Sequence, residues 1–246
     1  MQTISLNKGR MIVVERAHIF LPLESDYRDK VLIYLSRNLG KNTTINAICK
    51  GLKLSYGHLH ATIHKLGAEK IINIEEVGNY KLISLNFKNM LTIAELAKVS
   101  VKISQQILGE SKKLRKLNIL IENLRKYKDI LSIVLFGSHA RLEAREKSDI
   151  DMLIILSERV KYKDFSSVGK GEHLRKSDLI NKIRAEIRAF EVREFADIQE
   201  FIIDFEMFKR MLESKEELNV GKEALKDGVA LDGFENYWKM VGEIIG

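Results

Sequence analysis

Two aspartates, Asp149 and Asp151, lie at the start of an apolar run, Met152 to Leu156, whose composition is typical of a buried strand. Side chains alternate along a strand, so residues two apart point to the same face, with their backbones about 7 Å apart. Two ionised carboxylates on one face repel each other unless a cation lies between them, and their oxygens are the hard ligands that Mg²⁺ prefers. The spacing therefore predicts a divalent metal site at the start of this strand.

A Gly-Ser pair lies shortly before the aspartates. Ile133 to Phe136 is a short apolar run that predicts another buried strand, and it ends at Gly137-Ser138. Ala140 to Glu146 suits a short helix, which would place the backbone N–H groups near Gly137 and Ser138 at a helix N-terminus. Such groups are unpaired donors at the positive end of the helix dipole, and they favour phosphate. The two motifs together predict a phosphate seat beside a metal site.

This combination resembles the DNA polymerase beta nucleotidyltransferase superfamily, in which a strand ends in Gly-Ser, a short helix follows, and Asp-x-Asp lies on the adjoining strand. The likeness is greatest to the small prokaryotic enzymes called minimal nucleotidyltransferases, and it covers about residues 112 to 246. It implies transfer of a nucleoside monophosphate from a nucleoside triphosphate, with ATP as the expected donor, to an acceptor that the sequence does not identify. It also implies two Mg²⁺ ions and pyrophosphate as the leaving group.

The resemblance assigns roles to the residues of both motifs. The two aspartates would hold the ions, and the Gly-Ser pair would hold the beta and gamma phosphates. Arg141 would add positive charge to the phosphates, or would instead form an ion pair with Glu143 or Glu146; the sequence leaves both roles open. The family often has Gly where this chain has Leu142 and Arg or Lys where it has His139, which bears on substrate preference rather than on metal binding.

The family also places a third carboxylate on a neighbouring strand. The extended run Phe195 to Ile203 is the remaining strand candidate, and Asp197 is the residue we assign as third ligand. Glu200 is the runner-up on the opposite face, whereas Asp204 is better explained as the cap of a following helix. The charged stretch from Glu158 to Lys176 predicts a loop beside the site, with solvation favoured over a role in clamping phosphates.

Residues 26 to 88 show a second pattern of three short helices and a hairpin. Thr43 or Thr44 can cap the second helix, and the third would run from a Ser55 cap to Gly67. This order resembles the winged helix-turn-helix family, whose third helix enters the major groove of DNA while the wing contacts the backbone. Carried over by position, the contact residues would be Tyr56, His58, His60, Thr62, His64 and Lys65, with Lys81 on the wing.

Two other interpretations of this region stay open. A winged helix can also dock proteins, because fold alone does not fix function. His60 and His64 lie one helical turn apart and could bind a metal, although the chain has neither the Glu of an HExxH motif nor a Cys pair beside them. Residues 1–90 hold 13 Lys and Arg against 7 Asp and Glu, a net charge of +6 out of the total of +7, which favours a polyanionic partner.

Length and composition predict two domains, and the two resemblances together imply an α+β fold. The predicted ranges are a winged helix-turn-helix domain at 1–90, a helical linker at 91–111 and a nucleotidyltransferase domain with a mixed sheet at 112–246; residues 1–25 are expected to form a strand or arm. No apolar run is long enough to span a membrane and no secretory signal is evident, so we expect a cytoplasmic protein without a membrane partner.

Three hypotheses for function follow. The chain could be an active nucleotidyltransferase, a DNA-binding regulator that senses a nucleotide, or the antitoxin of a toxin-antitoxin pair that modifies a HEPN-type ribonuclease. The expected partners are accordingly a nucleoside triphosphate, DNA through the N-terminal domain and a HEPN-type protein, and a homodimer is allowed. The intact aspartate pair favours the enzyme over the sensor, because a sensor has no need of two costly neighbouring charges.

Overall fold

The computed structural model describes residues 11–14, 19–22, 25–158, 176–215 and 219–246. Within these ranges the chain forms two compact units. The first holds the residues up to Gln106 together with Leu225–Asp227 and Phe234–Gly246, and the second holds Ile107–Ala224 and Gly228–Gly233. This grouping differs from the predicted ranges, since most of the predicted linker and the C-terminal helix lie with the first unit. The predicted loop between Glu158 and Lys176 lies outside the described residues, as does most of the predicted arm.

The first unit begins with two antiparallel strands, β1 (Met11–Val14) and β2 (Ile19–Pro22). Its next elements are α1 (Tyr27–Ser36), β3 (Thr43–Thr44), α2 (Ile45–Leu52), α3 (Tyr56–Ala68), β4 (Ile72–Val77), β5 (Tyr80–Leu85) and α4 (Met90–Glu110). Strands β3, β5 and β4 form an antiparallel sheet in that order. Three helices followed by a hairpin is the predicted order, and its assignment to the winged helix-turn-helix family stays a prediction.

Local interactions explain where the short helices begin and end. Of the two candidate caps of α2, Thr44 is the one used, because its hydroxyl accepts a hydrogen bond from the Ala47 amide at 3.2 Å. The prediction that Gly67 ends α3 is wrong. Gly67 lies inside the helix, where an added Cβ would come within 2.8 Å of Ile74 Cδ1, and the left-handed residue that follows the helix is Lys70.

The second unit contains the elements between α5 and β9. In chain order these are α5 (Lys112–Leu124), β6 (Ile130–Phe136), α6 (Gly137–Ala140), β7 (Ile150–Leu156), α7 (Lys176–Glu194), β8 (Ile198–Asp204), α8 (Phe205–Glu213), α9 (Val220–Asp227) and β9 (Val229–Asp232). The long helical region predicted after residue 91 breaks at Ser111, whose hydroxyl caps α5 by accepting from the Leu114 amide. The last residues of α9, Leu225–Asp227, group with the first unit.

The sheet of the second unit has the strand order β8-β7-β6-β9. Strands β7 and β8 are parallel, whereas β6 runs antiparallel to both β7 and β9. The α+β class with a mixed sheet is therefore confirmed. Every side chain of β7 except that of Asp151 is fully buried, so this strand is covered on both faces.

The pairing register divides the central residues of this sheet between its two faces. Phe136 pairs with Asp151, which pairs with Gln199, so these three side chains share one face. Their neighbours Met152 and Glu200 point to the opposite face, which α7 covers. A ring contact between Phe136 and Phe201, with centroids 5.7 Å apart, lies on the face of Asp151.

The chain ends in α10 (Phe234–Ile245), which belongs to the first unit. Its Trp238 indole N–H donates to the Ser100 hydroxyl at 2.8 Å, and Gly242 lies so close to Phe87 that an added Cβ would be 2.7 Å from Cδ1 of that ring. These contacts explain why α10 groups with the first unit. Among the described residues, none of the helices combines the length and the apolar character that crossing a membrane requires.

Candidate functional site

The Gly-Ser turn lies directly against one of the two aspartates. Gly137 follows the last residue of β6 and has a left-handed φ of +69°. A Cβ added to it would lie 2.1 Å from Oδ2 and 2.8 Å from Cγ of Asp151. Any residue other than glycine would therefore be strained at this position and would also displace the carboxylate. The Gly-Ser motif and the aspartate motif meet at this point, as the sequence predicted.

The short helix at the turn is not where the sequence predicted it. It covers Gly137–Ala140 and not Ala140 to Glu146, because the chain turns into the helix directly after β6. The helix ends where Leu142 takes a left-handed φ of +56° and the Glu143 amide donates to the Ser138 carbonyl at 2.9 Å. The left-handed backbone gives a physical reason for Gly at the Leu142 position in the family pattern, since only Gly adopts it without strain.

The two aspartates lie at the start of β7, where the sequence placed them. Asp149 precedes the strand and is exposed, whereas Asp151 is its second residue and is half-buried. Burial raises the pKa of Asp151, and the neighbouring Asp149 carboxylate raises it further. Glu223 acts in the same direction, and His139 and Arg141 oppose it. Asp151 therefore lies in a site where negative charge is unfavourable unless a cation is present.

His139 holds the residue that precedes Asp149 through a hydrogen bond to the Ser148 carbonyl. Its side chain is buried, and its Nε2 lies 3.2 Å from the Ser148 carbonyl oxygen, so this nitrogen must carry the hydrogen and donate. Lys113 Nζ donates to the same carbonyl at 2.6 Å. Burial lowers the pKa of His139 and so favours its neutral ring. A neutral ring with its hydrogen on Nε2 can make this contact. His139 thus fixes the residue before Asp149 and does not replace the basic residue of the family pattern.

Arg141 is engaged in an ion pair and is also close to the site. Its Nε lies 2.9 Å from Glu143 Oε2, which is the first of the two pairs that the sequence offered. Its charge nevertheless lowers the pKa of Asp151, so the guanidinium is within electrostatic range of the aspartates. Arg141 is half-buried, and its ion pair with Glu143 leaves its charge within range of the Asp151 carboxylate.

Asp197, the residue predicted as the third ligand, lies immediately before β8 and not within it. The Asp197 carbonyl accepts from the Ile150 amide at 2.9 Å, just before β8, and the register continues with Ile150 beside Ile198. Asp197 therefore shares the face of Asp149 and Asp151. Glu200, the runner-up, points the other way and lies 3.3 Å from Arg184 of α7. The predicted strand is shorter than expected, because Phe195 has a left-handed φ of +51° and belongs to the turn.

The carboxylates are near one another without forming a closed metal cage. Among the residues that the structure describes, no group of three or more His, Cys, Asp or Glu side chains is arranged to hold a metal ion. Asp197 is exposed, and its role as third ligand stays a prediction. Asp204 is confirmed as a helix cap, since its carboxylate accepts from the Met207 amide at 2.7 Å.

The sequence analysis missed one acidic residue of the site. Glu223 lies on α9 and contributes to the raised pKa of Asp151. The topology explains its position: Val229 of β9 pairs with Leu135, one residue before the end of β6, so α9 reaches the edge of the sheet where the turn lies. Nothing in the sequence marked Glu223, because a single acidic residue in a polar helix is most often a solvated one.

The residues predicted to contact DNA lie in the first unit, Lys81 on β5 and the others on two flanks of α3. At about 100° per residue, Tyr56, His60 and His64 form one flank, and His58, Thr62 and Lys65 form the other. The buried stripe of Leu59, Ile63 and Leu66 lies between the flanks on the inner side.

Several of these side chains already have partners. The His58 ring stacks on Tyr27 with centroids 5.4 Å apart, and the Thr62 hydroxyl donates to the His58 carbonyl at 3.0 Å. On the wing, Lys81 Nζ lies 3.2 Å from Glu76 Oε1. Lys65 is exposed near the end of the helix. The predicted surface is thus exposed, but its wing carries a partly neutralised charge.

Comparisons with known proteins bear on the second unit. Residues 118–203 match the family model described as Polymerase beta, Nucleotidyltransferase. The matched range contains the Gly-Ser turn, both aspartates of β7 and Asp197. Searches of curated proteins and of solved structures gave no significant match. The match supports the superfamily that the two motifs indicated and a nucleotidyltransferase domain in this stretch.

The raised pKa of Asp151 leads to a prediction about stability. A carboxyl group whose pKa is raised by folding destabilises the folded state as the pH rises from its unfolded value, near 3.8, through its folded value. At pH 7 without divalent ions, Asp151→Asn removes that cost, so we expect its thermal midpoint to exceed that of the original chain. Mg²⁺ should raise the midpoint of the original chain and leave that of the variant unchanged.

Glu200→Gln is the matched control, because Glu200 lies on the same sheet but on the opposite face, beside Arg184. Calorimetric melts in EDTA and in Mg²⁺ give the thermal midpoints of the original chain, Asp151→Asn and Glu200→Gln. A lower midpoint for Asp151→Asn in EDTA would show that Asp151 is stabilised by partners other than a metal.

Proposed function

We propose that the second unit is a metal-dependent nucleotidyltransferase that moves a nucleoside monophosphate, with ATP as the donor, to an acceptor hydroxyl or similar nucleophile. One observation carries the proposal: the Gly137 turn approaches the Asp151 carboxylate so closely that an added Cβ would lie 2.1 Å from its oxygen. A triphosphate held at this turn would have its phosphates beside the aspartates. The family match over residues 118–203 supports the same reaction class.

The donor set of the site fits Mg²⁺. Asp149 and Asp151 offer carboxylate oxygens on one face, and the pKa of Asp151 is raised because its charge is buried beside a like charge. Asp197 would complete the set from β8. Mg²⁺ ions held here would neutralise phosphate charge and lower the pKa of the acceptor hydroxyl, as paired metals do in phosphoryl chemistry.

Each remaining residue then has a role in positioning. The backbone at Gly137 and the Ser138 hydroxyl would donate to the beta and gamma phosphates, and Arg141 would add positive charge beside them. His139, with Lys113, holds the Ser148 carbonyl and so fixes the chain that leads into Asp149. In the reaction the acceptor hydroxyl would give its proton to solvent as its oxygen bonds to the alpha phosphorus. The bond from that phosphorus to the bridging oxygen would break, and pyrophosphate would leave with the electron pair.

For the first unit we propose DNA binding through α3. The excess of positive charge in residues 1–90 and the exposed flank that carries Lys65 support this proposal. The wing would contribute less, because Lys81 is paired with Glu76. DNA binding is compatible with the regulator and antitoxin hypotheses as well as with the enzyme.

Label transfer tests the enzymatic proposal. The chain is incubated with Mg²⁺, a mixture of RNA and protein acceptors, and ATP labelled at either the alpha or the gamma phosphate. We expect the alpha label to reach an acceptor and the gamma label to leave as pyrophosphate. Asp149→Asn and Asp151→Asn should each lower the rate at least about 100-fold, since losing a metal ligand costs several kcal/mol of transition-state stabilisation.

Glu200→Gln again serves as control and should keep the original rate. Transfer of the gamma label would identify a kinase in place of a nucleotidyltransferase. Nucleotide binding without any transfer, with every acceptor fraction, would favour the sensor.

Binding of a fluorescent DNA duplex tests the proposal for the first unit. We expect affinity to fall steeply between low and moderate salt, because each phosphate contact releases counterions. Lys65→Glu should weaken binding more than Lys81→Glu, since Lys81 is already paired with Glu76. Anisotropy titrations measure both. Equal affinities for the two variants and the original chain would exclude the proposed surface.

A further inference from the structure

Two histidine rings face each other on one flank of α3. The Nε2 atoms of His60 and His64 lie 3.0 Å apart, and the ring centroids are 4.2 Å apart. Residues four apart on a helix are neighbours on its surface, so the backbone holds both rings on the same flank. The centroid of the Tyr56 ring, one turn earlier, lies 5.5 Å from that of the His60 ring.

The separation of the two nitrogens matches that of a metal chelate. Imidazole nitrogens bind zinc at about 2.0–2.1 Å. Two such bonds that meet at roughly 90–110° place their nitrogens about 2.8–3.4 Å apart. At 3.0 Å the His60 and His64 nitrogens already have the separation of a chelate, and a turn of the rings would direct both lone pairs at one ion. One of the two Nε2 atoms must also be unprotonated, because two N–H groups cannot approach each other in this way.

We propose that His60 and His64 form a binding site for a divalent late transition-metal ion, of the class of Zn²⁺, Ni²⁺ or Co²⁺. Neutral imidazole suits these ions, whereas Mg²⁺ prefers oxygen ligands. Both rings reach solvent, and among the described residues no third metal-ligating group joins them, so water would fill the other coordination positions. The site lies in the first unit and does not depend on the proposed nucleotidyl transfer.

His58 provides a matched control on the same helix. It lies on the other flank, where its Nδ1 is 3.0 Å from the Ser55 hydroxyl and its ring stacks on Tyr27. It has the same chemistry as the proposed ligands but lacks a second imidazole one turn away on its own flank. If the site requires the His60–His64 pair, replacing His58 should leave the Zn²⁺ affinity unchanged.

Calorimetric titration of the full chain, free of any tag, with Zn²⁺ tests the proposal. Excess Mg²⁺ and an Asp151→Asn background keep Zn²⁺ from being counted at the carboxylates. We expect one ion per chain, an affinity at least about tenfold lower for His60→Gln and for His64→Gln, and an unchanged affinity for His58→Gln; even the loss of an outer-shell partner costs tenfold or more.

A second measurement does not need the variants to fold. Imidazole ¹⁵N spectra of the original chain should show Zn²⁺ shifting the Nε2 resonances of His60 and His64 but not those of His58. The proposal is overturned if no Zn²⁺ binds in the titration, if the His60→Gln and His64→Gln variants bind as well as the original chain, or if all three rings shift alike.

Discussion

The close approach of a glycine to a carboxylate determines the architecture of the second unit. β6 and β7 pair so that Phe136 lies beside Asp151, and the chain must leave β6 at once without a side chain that would meet the Asp151 oxygen. The left-handed conformation of Gly137 satisfies both demands. The Gly-Ser turn, the position of the two aspartates and the short helix are therefore consequences of one strand pairing, and a change in its register would separate them.

The rest of the unit keeps Asp151 in place from several sides. β7 is buried between its neighbours, β8 holds the start of β7 through the hydrogen bond from Ile150 to Asp197, and His139 and Lys113 share the Ser148 carbonyl. A pair of like charges can persist on such a rigid strand although it costs stability. Under the proposed function, a bound cation would offset that cost.

The sequence was informative where short-range patterns decide the structure. The apolar runs predicted β6 and β7, and alternation along a strand placed Asp149 and Asp151 on one face. The predicted position of α6 was wrong, because the helix depends on the left-handed conformations of Gly137 and Leu142. A leucine in the sequence does not indicate such a conformation.

Contacts between residues far apart in the chain also could not be predicted from the sequence. Glu223 reaches the site because β9 pairs with β6, and α10 joins the first unit through Trp238 and Gly242; neither pairing leaves a local signal. The sequence also predicted that His60 and His64 lie one helical turn apart, but not that their Nε2 atoms are 3.0 Å apart.

Calorimetric binding of an ATP analogue with a non-cleavable bond between its alpha and beta phosphates tests the central claim most directly. It should be measured with and without Mg²⁺ for the original chain, Gly137→Ala and Gly40→Ala. Gly40 has a similar φ of +71°, but nothing lies within 4 Å of an added Cβ, so its variant isolates the backbone strain. The account predicts that Gly137→Ala loses Mg²⁺-dependent binding while Gly40→Ala keeps it; equal binding by all three would contradict it.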